Sequence, residues 1–404
     1  MGAKVYIVVT PFFPSPDNWR GAYCFDFVKA LKHARQKLRV EVFVPGKGSD
    51  YEMEGVTVHR FKTKQLPSNI LPFLFRRYNE KSFLRAVAQA GIKIEDVMFC
   101  HGHTANFAIY PLALKRANPS CKTLLHHHDL MSFGLNLGRL RHFAPYNLLL
   151  SRQLKKLHEQ IDLHVFISRL CEKSFRSFPD VDWLEDADYS AQARGLVGNI
   201  APVIIKDSYV LHNGVDTEIF KPRNTPKTRK EFVVGCVGNF SPEKGQYDLL
   251  SAVKLINDGR VEHVESADRI KIIFVGSGPD KKRCEEFAKV SGIDAEFRAE
   301  VGHEKLAEFY QELDLFVLST WLDGFGCVYT EAYACGVPFI ATTRAGVEEL
   351  IPNSERHLWL ADPRNPEMLR EKIRHYMEHR QIQNLNGEIE INNLVGAFLD
   401  RLSI

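Results

Sequence analysis

The chain has 404 residues, 45% of them hydrophobic and 25% charged, enough to bury the cores of two globular domains and too much for a small disulfide-stapled scaffold. Its eight cysteines (Cys24, Cys100, Cys121, Cys171, Cys236, Cys284, Cys327, Cys335) form no Cys-x-x-Cys pair and several fall in apolar runs, so they read as reduced core thiols of a cytoplasmic protein. The net charge of +3 conceals an asymmetry: residues 1–200 hold 28 Lys+Arg against 18 Asp+Glu, a net +10, and residues 201–404 hold 25 against 32, a net −7.

In chain order, short β-rich apolar runs alternate with helix-period segments, the pattern of parallel sheets built from βαβ units. The first strand, Lys4–Val9, contains an apolar run too short for a signal-peptide core, and no stretch approaches the roughly 18 apolar residues of a spanning helix. Thr10-Pro-Phe-Phe-Pro14 then leads through Trp19-Arg20-Gly21-Ala22 to an amphipathic helix over Phe25–Leu31. Further strands are expected over Arg39–Val44, Val97–His101, Lys122–His127 and Leu163–Ile167. The polar, proline-containing stretch Phe220–Thr228 suits an interdomain connection. A second series follows over Phe232–Gly238, Lys271–Val275, Ala295–Arg298, Leu315–Ser319 and Pro338–Ala341. The expected organisation is α/β, with Rossmann-like domains over residues 1–220 and 221–385 and a terminal helical segment over 386–404.

The basic N-terminal half calls for an anionic partner. No helix-turn-helix, zinc-finger or RNP-like pattern accompanies the charge, which sets nucleic acid aside and favours an anionic membrane surface or a lipid phosphate, with a plain solvated face as the competing reading. Aromatic and basic side chains interleave at 71–78 and 139–150, as they do either at a membrane interface or along the charged edge of a core. The acidic pairs Asp180/Asp182 and Asp186/Asp188 stand in an acidic loop and read as solvated. Histidines gather as His101-Gly102-His103 and His126-His127-His128-Asp129, yet no metal is expected. No cysteine or carboxylate recurs at zinc spacing, neither cluster forms His-Glu-x-x-His, and alternation along a strand points neighbouring histidines to opposite faces.

The densest functional signal is Asp323-Gly324-Phe325-Gly326-Cys327-Val-Tyr-Thr-Glu331. It follows a buried strand and opens a helix over Tyr329–Ala334, so the free backbone N–H groups of the Gly-Phe-Gly turn face an anion. Two carboxylates beside an anion site can take hydroxyl groups, and phosphates together with polyol hydroxyls describe a nucleotide sugar. Val237-Gly238-Asn239-Phe-Ser-Pro-Glu-Lys244-Gly245 sets one cation in a strand-to-helix loop, and Phe274-Val-Gly276-Ser-Gly278-Pro is a second Gly-rich turn after a strand.

These motifs resemble those of retaining GT-B glycosyltransferases of family 4. Asp323 and Glu331 resemble its E-x7-E acids, with Asp in place of the first Glu, and Gly238–Gly245 resembles its Gly-Arg-x4-Lys-Gly loop, with Asn239 where the Arg stands. The resemblance implies two Rossmann-like domains facing each other across a cleft, the first for the acceptor and the second for the donor. It implies a metal-independent transfer from a UDP- or GDP-sugar to an acceptor hydroxyl, with no cofactor. Lys244 and the Gly324–Cys327 helix start would hold the diphosphate, Asp323 and His128 the sugar, and Glu331 the ribose. Gly21, Asn239, Gly276, Gly278 and Phe297 would line the donor site. The family's habits, with the basic half, point to a glycan or lipid-linked acceptor in bacterial surface polysaccharide or glycolipid assembly, at the inner face of the membrane. A catalytically silent nucleotide-sugar binder and a GT-B epimerase or phosphorylase remain as alternatives.

Overall fold

The computed structural model describes residues 4–15, 19–66, 73–130, 144–177, 202–223, 231–259 and 269–404. The loop 179–201 with its acidic pairs and the connection residues 224–228 lie outside these, as do parts of the aromatic–basic stretches at 71–72 and 139–143. The chain forms two compact units: one runs to His212 and regains Asn392–Ile404, and the other is Asn213–Ile391. No helix among the described residues is long and apolar enough to cross a membrane.

The first unit is built on eight strands: β1 (Val5–Val9), β2 (Arg39–Pro45), β3 (Tyr51–Met53), β4 (Val56–Phe61), β5 (Val97–His103), β6 (Lys122–His127), β7 (Leu163–Phe166) and β8 (Ser208–Val210). Their order is β3-β4-β2-β1-β5-β6-β7-β8, all parallel except the β3–β4 hairpin. Helices cover a parallel sheet on both faces, so its central strands are largely buried, and all five residues of β1 are apolar and buried. The expected central strands are present. Strands β3, β4 and β8 were not expected, because their mixed, half-polar sequences carry no continuous apolar run. The hairpin turns on Glu54 and Gly55, both at positive φ (45° and 75°), as a tight two-residue turn requires. Helices α1 (Ala22–Ala34), α2 (Arg76–Gln89), α3 (Ile109–Ala117), α4 (Ala144–His158) and α5 (Arg169–Ser177) connect the strands.

The second unit holds β9 (Phe232–Val237), β10 (Ile270–Val275), β11 (Asp294–Arg298), β12 (Leu315–Val317), β13 (Phe339–Thr342) and β14 (Leu360–Ala361). Their order is β11-β10-β9-β12-β13-β14, which is the doubly wound order 3-2-1-4-5-6 of dinucleotide-binding sheets. Its helices are α6 (Gln246–Asp258), α7 (Lys281–Val290), α8 (His303–Glu312), α9 (Cys327–Ala334), α10 (Arg356–Trp359) and α11 (Pro366–His379). Past α11 the chain is tied into this unit by Gln383, whose side chain accepts from Phe339 N–H and donates to Phe339 O, both at 2.9 Å.

The last helix, α12 (Ile391–Arg401), serves the first unit. Its Phe398 is fully buried, with ring centroids 5.4 Å from Tyr209, 6.1 Å from His101 and 6.3 Å from Phe27. Arg401 pairs with Asp207 at 2.7 Å, and Arg35 binds Ile404 O at 2.9 Å and pairs with Asp400.

Candidate functional site

In a sheet of this order the connections leave in opposite directions on either side of β9 and β12, and ligands bind beyond the carboxyl ends at that reversal. The two segments singled out in the sequence follow these strands, Gly238–Gly245 directly after β9 and Asp323–Glu331 after β12 and the short link 318–322. The link stitches them to one another. Ser319 Oγ donates to Gly245 O at 2.6 Å, Thr320 Oγ1 to Glu243 O at 3.1 Å and Trp321 N–H to Glu243 O at 2.8 Å. Gly245 sits at φ +71°, and a Cβ there would lie 2.0 Å from Ser319 O, so the close approach needs glycine.

Across this seam Lys244 Nζ donates to Asp323 Oδ2 at 2.5 Å, with the side chains 31% and 15% exposed. Asp323 is held in place by its neighbours. Its N–H donates to Arg344 O at 3.1 Å, its carbonyl accepts from Gly346 N–H at 3.0 Å, and Oδ1 accepts from Phe325 N–H at 3.2 Å. A partly exposed ammonium and carboxylate in contact form a pair that a polyol phosphate can divide, the ammonium going to the phosphate and the carboxylate to hydroxyls. Gly326, at φ +76°, is the N-cap of α9, so the turn and helix start after Asp323 are as expected. Phe325 is fully buried and can meet a ligand only through its backbone, whereas Gly324 and Cys327 are half-buried.

Glu331 lies in α9, only 7% exposed, and its Oε2 accepts from the Tyr310 hydroxyl at 2.8 Å. Burial first, then the Glu331 carboxylate, pushes the Tyr310 phenol well above its ordinary value, so it stays a donor and orients that carboxylate. Asn239 is exposed and its carbonyl accepts from Gln246 Nε2 at 2.9 Å. Gly276 and Gly278, at φ +148° and +147°, pack against the loop after β9: a Cβ would lie 2.1 Å from Gly238 O at the first and 2.3 Å from Phe240 O at the second. Phe297 stacks on Phe274 with centroids 5.0 Å apart. In the first unit, Gly21 is the αL N-cap of α1, and a Cβ there would lie 2.6 Å from Phe12 O. One turn on, the Tyr23 ring is 4.5 Å from that of His128, so the α1 turn and the strand-end histidine are neighbours.

Two features went unseen in the sequence. Tyr310 carries no motif and stands far from Glu331 in the chain, so only the fold joins them. Trp321, on the seam itself, donates to Asp248 at 2.9 Å and lies under the Arg364 guanidinium at 4.0 Å.

The histidines form two buried groups. Alternation does separate His127 from His126 and His128, but it also sets His101, His103, His126 and His128 on one face of β5 and β6, where His103 and His126 are register partners. His127 joins His158 and His164 on the other face. Among the described residues, His101, His103 and His126 can bring one ring nitrogen each to within 4.8 Å of the other two, and so can His127, His158 and His164. Burial pushes His101, His128 and His158 down to about 3, so these rings are neutral at pH 7.

Comparison with known proteins agrees with this geometry. Residues 217–389 match the family described as glycosyl transferases group 1. A putative teichuronic acid biosynthesis glycosyltransferase of Bacillus subtilis, TuaC, is 31% identical over 185 residues, 44% of this chain and 43% of that protein. Among solved structures, sucrose-phosphate synthase from Thermosynechococcus elongatus superposes with a TM-score of 0.67 at 17% identity, over 99% of this chain and 94% of that one. HepE from Anabaena, in complex with UDP and glucose, does so with a TM-score of 0.65 at 17% identity, over 98% and 99%. The fold is therefore GT-B, as the motifs implied. The group 1 match falls within the second unit, and the alignments span less than half the length of the curated relatives.

Proposed function

We propose that the protein is a retaining glycosyltransferase that moves a sugar from a UDP- or GDP-sugar to the hydroxyl of a glycan or lipid-linked acceptor in bacterial surface polysaccharide or glycolipid assembly. The observation that carries this reading is the Lys244–Asp323 pair at the reversal point of the second sheet, beside the Gly326 helix start. The group 1 match, the teichuronic acid relative and the UDP complex of HepE support it.

In this reading the donor diphosphate takes Lys244 and the Gly324–Cys327 helix start, which stabilise the negative charge that develops as the glycosidic bond breaks. Asp323, released from Lys244, binds sugar hydroxyls together with His128, and Glu331, aimed by Tyr310, binds the ribose. Gly21, Asn239, Gly276, Gly278 and Phe297 line the donor. The leaving phosphate accepts the acceptor's proton, so no separate base and no metal at the diphosphate are required. The protein works at the inner face of the membrane, its basic first half turned to anionic lipid.

The test is release of nucleoside diphosphate from UDP-, GDP- and ADP-sugars in EDTA, comparing wild type with Lys244→Ala and Glu331→Ala. Slow hydrolysis of one donor, reduced about a hundredfold or more in Lys244→Ala as expected for a lost charge-stabilising group, supports the proposal. A donor that binds but never releases nucleotide with any acceptor indicates a binder, and a donor altered without acceptor indicates an epimerase.

A further inference from the structure

We infer that His101, His103 and His126 form a binding site for a divalent first-row transition metal inside the first sheet. The three rings are 0–3% exposed. Their buried nitrogens Nε2 of His101, Nε2 of His103 and both Nδ1 and Nε2 of His126 have no hydrogen-bond partner. A neutral imidazole has one N–H and one lone-pair nitrogen, so His126, with neither nitrogen hydrogen-bonded, holds a buried lone pair that an ion can take.

The other histidine group provides the contrast within the same molecule. There His127 Nε2 meets His164 Nδ1 at 2.9 Å, His164 Nε2 donates to His158 O at 3.0 Å, and His158 Nε2 donates to Ala105 O at 3.2 Å. That group is a hydrogen-bonded chain that fixes its own tautomers. In the first group, His101 and His103 each have one bonded nitrogen and one without a partner, and neither nitrogen of His126 is bonded. Tyr6 Oη lies 2.9 Å from His101 Nδ1, and His128 Nε2 lies 2.9 Å from His103 Nδ1. With Nε2 given to an ion, Nδ1 of His101 and of His103 becomes an N–H donor, to Tyr6 Oη and His128 Nε2, the arrangement that orients metal-bound histidines.

Three neutral imidazoles on two adjacent strands are a ligand set for zinc or a similar ion, with one position left for a small ligand. A tetrahedral ion at about 2.0–2.1 Å from each nitrogen needs them about 3.4 Å apart, so binding requires the rings, whose nitrogens lie within 4.8 Å of one another, to turn toward the ion. Phe27 covers the site, its centroid 5.5 Å from His101, 5.8 Å from His103 and 6.0 Å from His126. Loading therefore accompanies folding. The ion does not touch a donor: it fixes the His103 proton on Nδ1, toward His128, and so acts on His128 by positioning it.

The experiment uses the full chain without a polyhistidine tag, purified from zinc-supplemented cells and treated briefly with EDTA. This strips the pair formed by half-buried His375 and exposed His379, whose rings stack at 4.3 Å and can chelate loosely. The expected result is about one zinc per chain, falling to background in His126→Ala and His101→Ala and unchanged in His164→Gln and His375→Ala. Chain grown in cobalt provides a readout that needs no variant. Intense visible bands of four-coordinate cobalt support the site, and the weak spectrum of six-coordinate cobalt overturns it. Wild-type zinc at background, or zinc content unmoved by His126→Ala, also overturns it.

Discussion

At the scale of single residues, the seam between the two loops after β9 and β12 rests on positions where only one side chain, or none, is tolerated. Gly245→Ala must move Ser319 O or unwind the turn, because the added Cβ would lie 2.0 Å from it. Strain of this kind costs on the order of 1–3 kcal/mol. The expected outcome is a lower urea midpoint together with weakened donor binding, since Lys244 precedes the glycine. An unchanged midpoint would show that the turn adapts. Tyr310→Phe removes the hydroxyl that Glu331 accepts from at 2.8 Å and leaves a nearly buried carboxylate short of a donor, a loss of about 1–3 kcal/mol. Calorimetric titration with nucleoside diphosphate should show weaker binding, and equal affinity in both proteins would remove Tyr310 from the site. Lys244 and Asp323 were legible because each stands at a fixed step from a glycine in a strand-to-helix loop. Tyr310 and Trp321 were not, because their roles arise from contacts between elements that the chain separates.

At the scale of elements, central strands were legible and edges were not. β1 and β9 are buried on both faces and written in continuous apolar residues, and β10 is interrupted only by Lys271, whereas β3, β8 and β14 span three, three and two residues and have no period to read. The same strands predict an acid response. Burial lowers His158 at the end of α4 to about 3 and His164 on β7 to about 4. The unfolded chain binds these protons near pH 6.5 and the folded one does not, so stability falls as pH drops below that value, by up to about 1.4 kcal/mol per pH unit for each group. His59 on β4 works the other way. Burial lowers its pKa, but hydrogen bonds to Glu41 and Asp50 outweigh this and raise it, so its contribution is present below pH 6.5 and lost as pH rises through the folded value. Two lowered groups outweigh one raised, and Glu41 and Asp50, both lowered, add a further loss in acid below their unfolded values. Urea unfolding at pH 7.5, 6 and 5 should show stability declining along that series; a flat or rising series would contradict the burial of these imidazoles.

At the scale of the whole molecule, the two units are not two successive halves of the chain. Residues Val395, Phe398 and Leu399 of α12 are fully buried, and they complete the unit that begins at the amino terminus. Phe398→Ala should cost about 3–5 kcal/mol, as for other buried aromatic truncations, and the loss should be local. Hydrogen exchange measured by mass spectrometry is expected to speed up in β1 and β5 and stay unchanged in β9 and β10, whereas uniform acceleration would mean that the two units unfold as one. During synthesis domains ordinarily mature in the order in which they leave the ribosome. Here that order is reversed. Residues 213–391 have all their partners once residue 391 has emerged, while the first sheet waits, with the place of Phe398 open, until the final helix arrives. The unit whose synthesis begins first is thus completed after the other, and a stall before residues 392–404 emerge would strand it rather than the unit just translated.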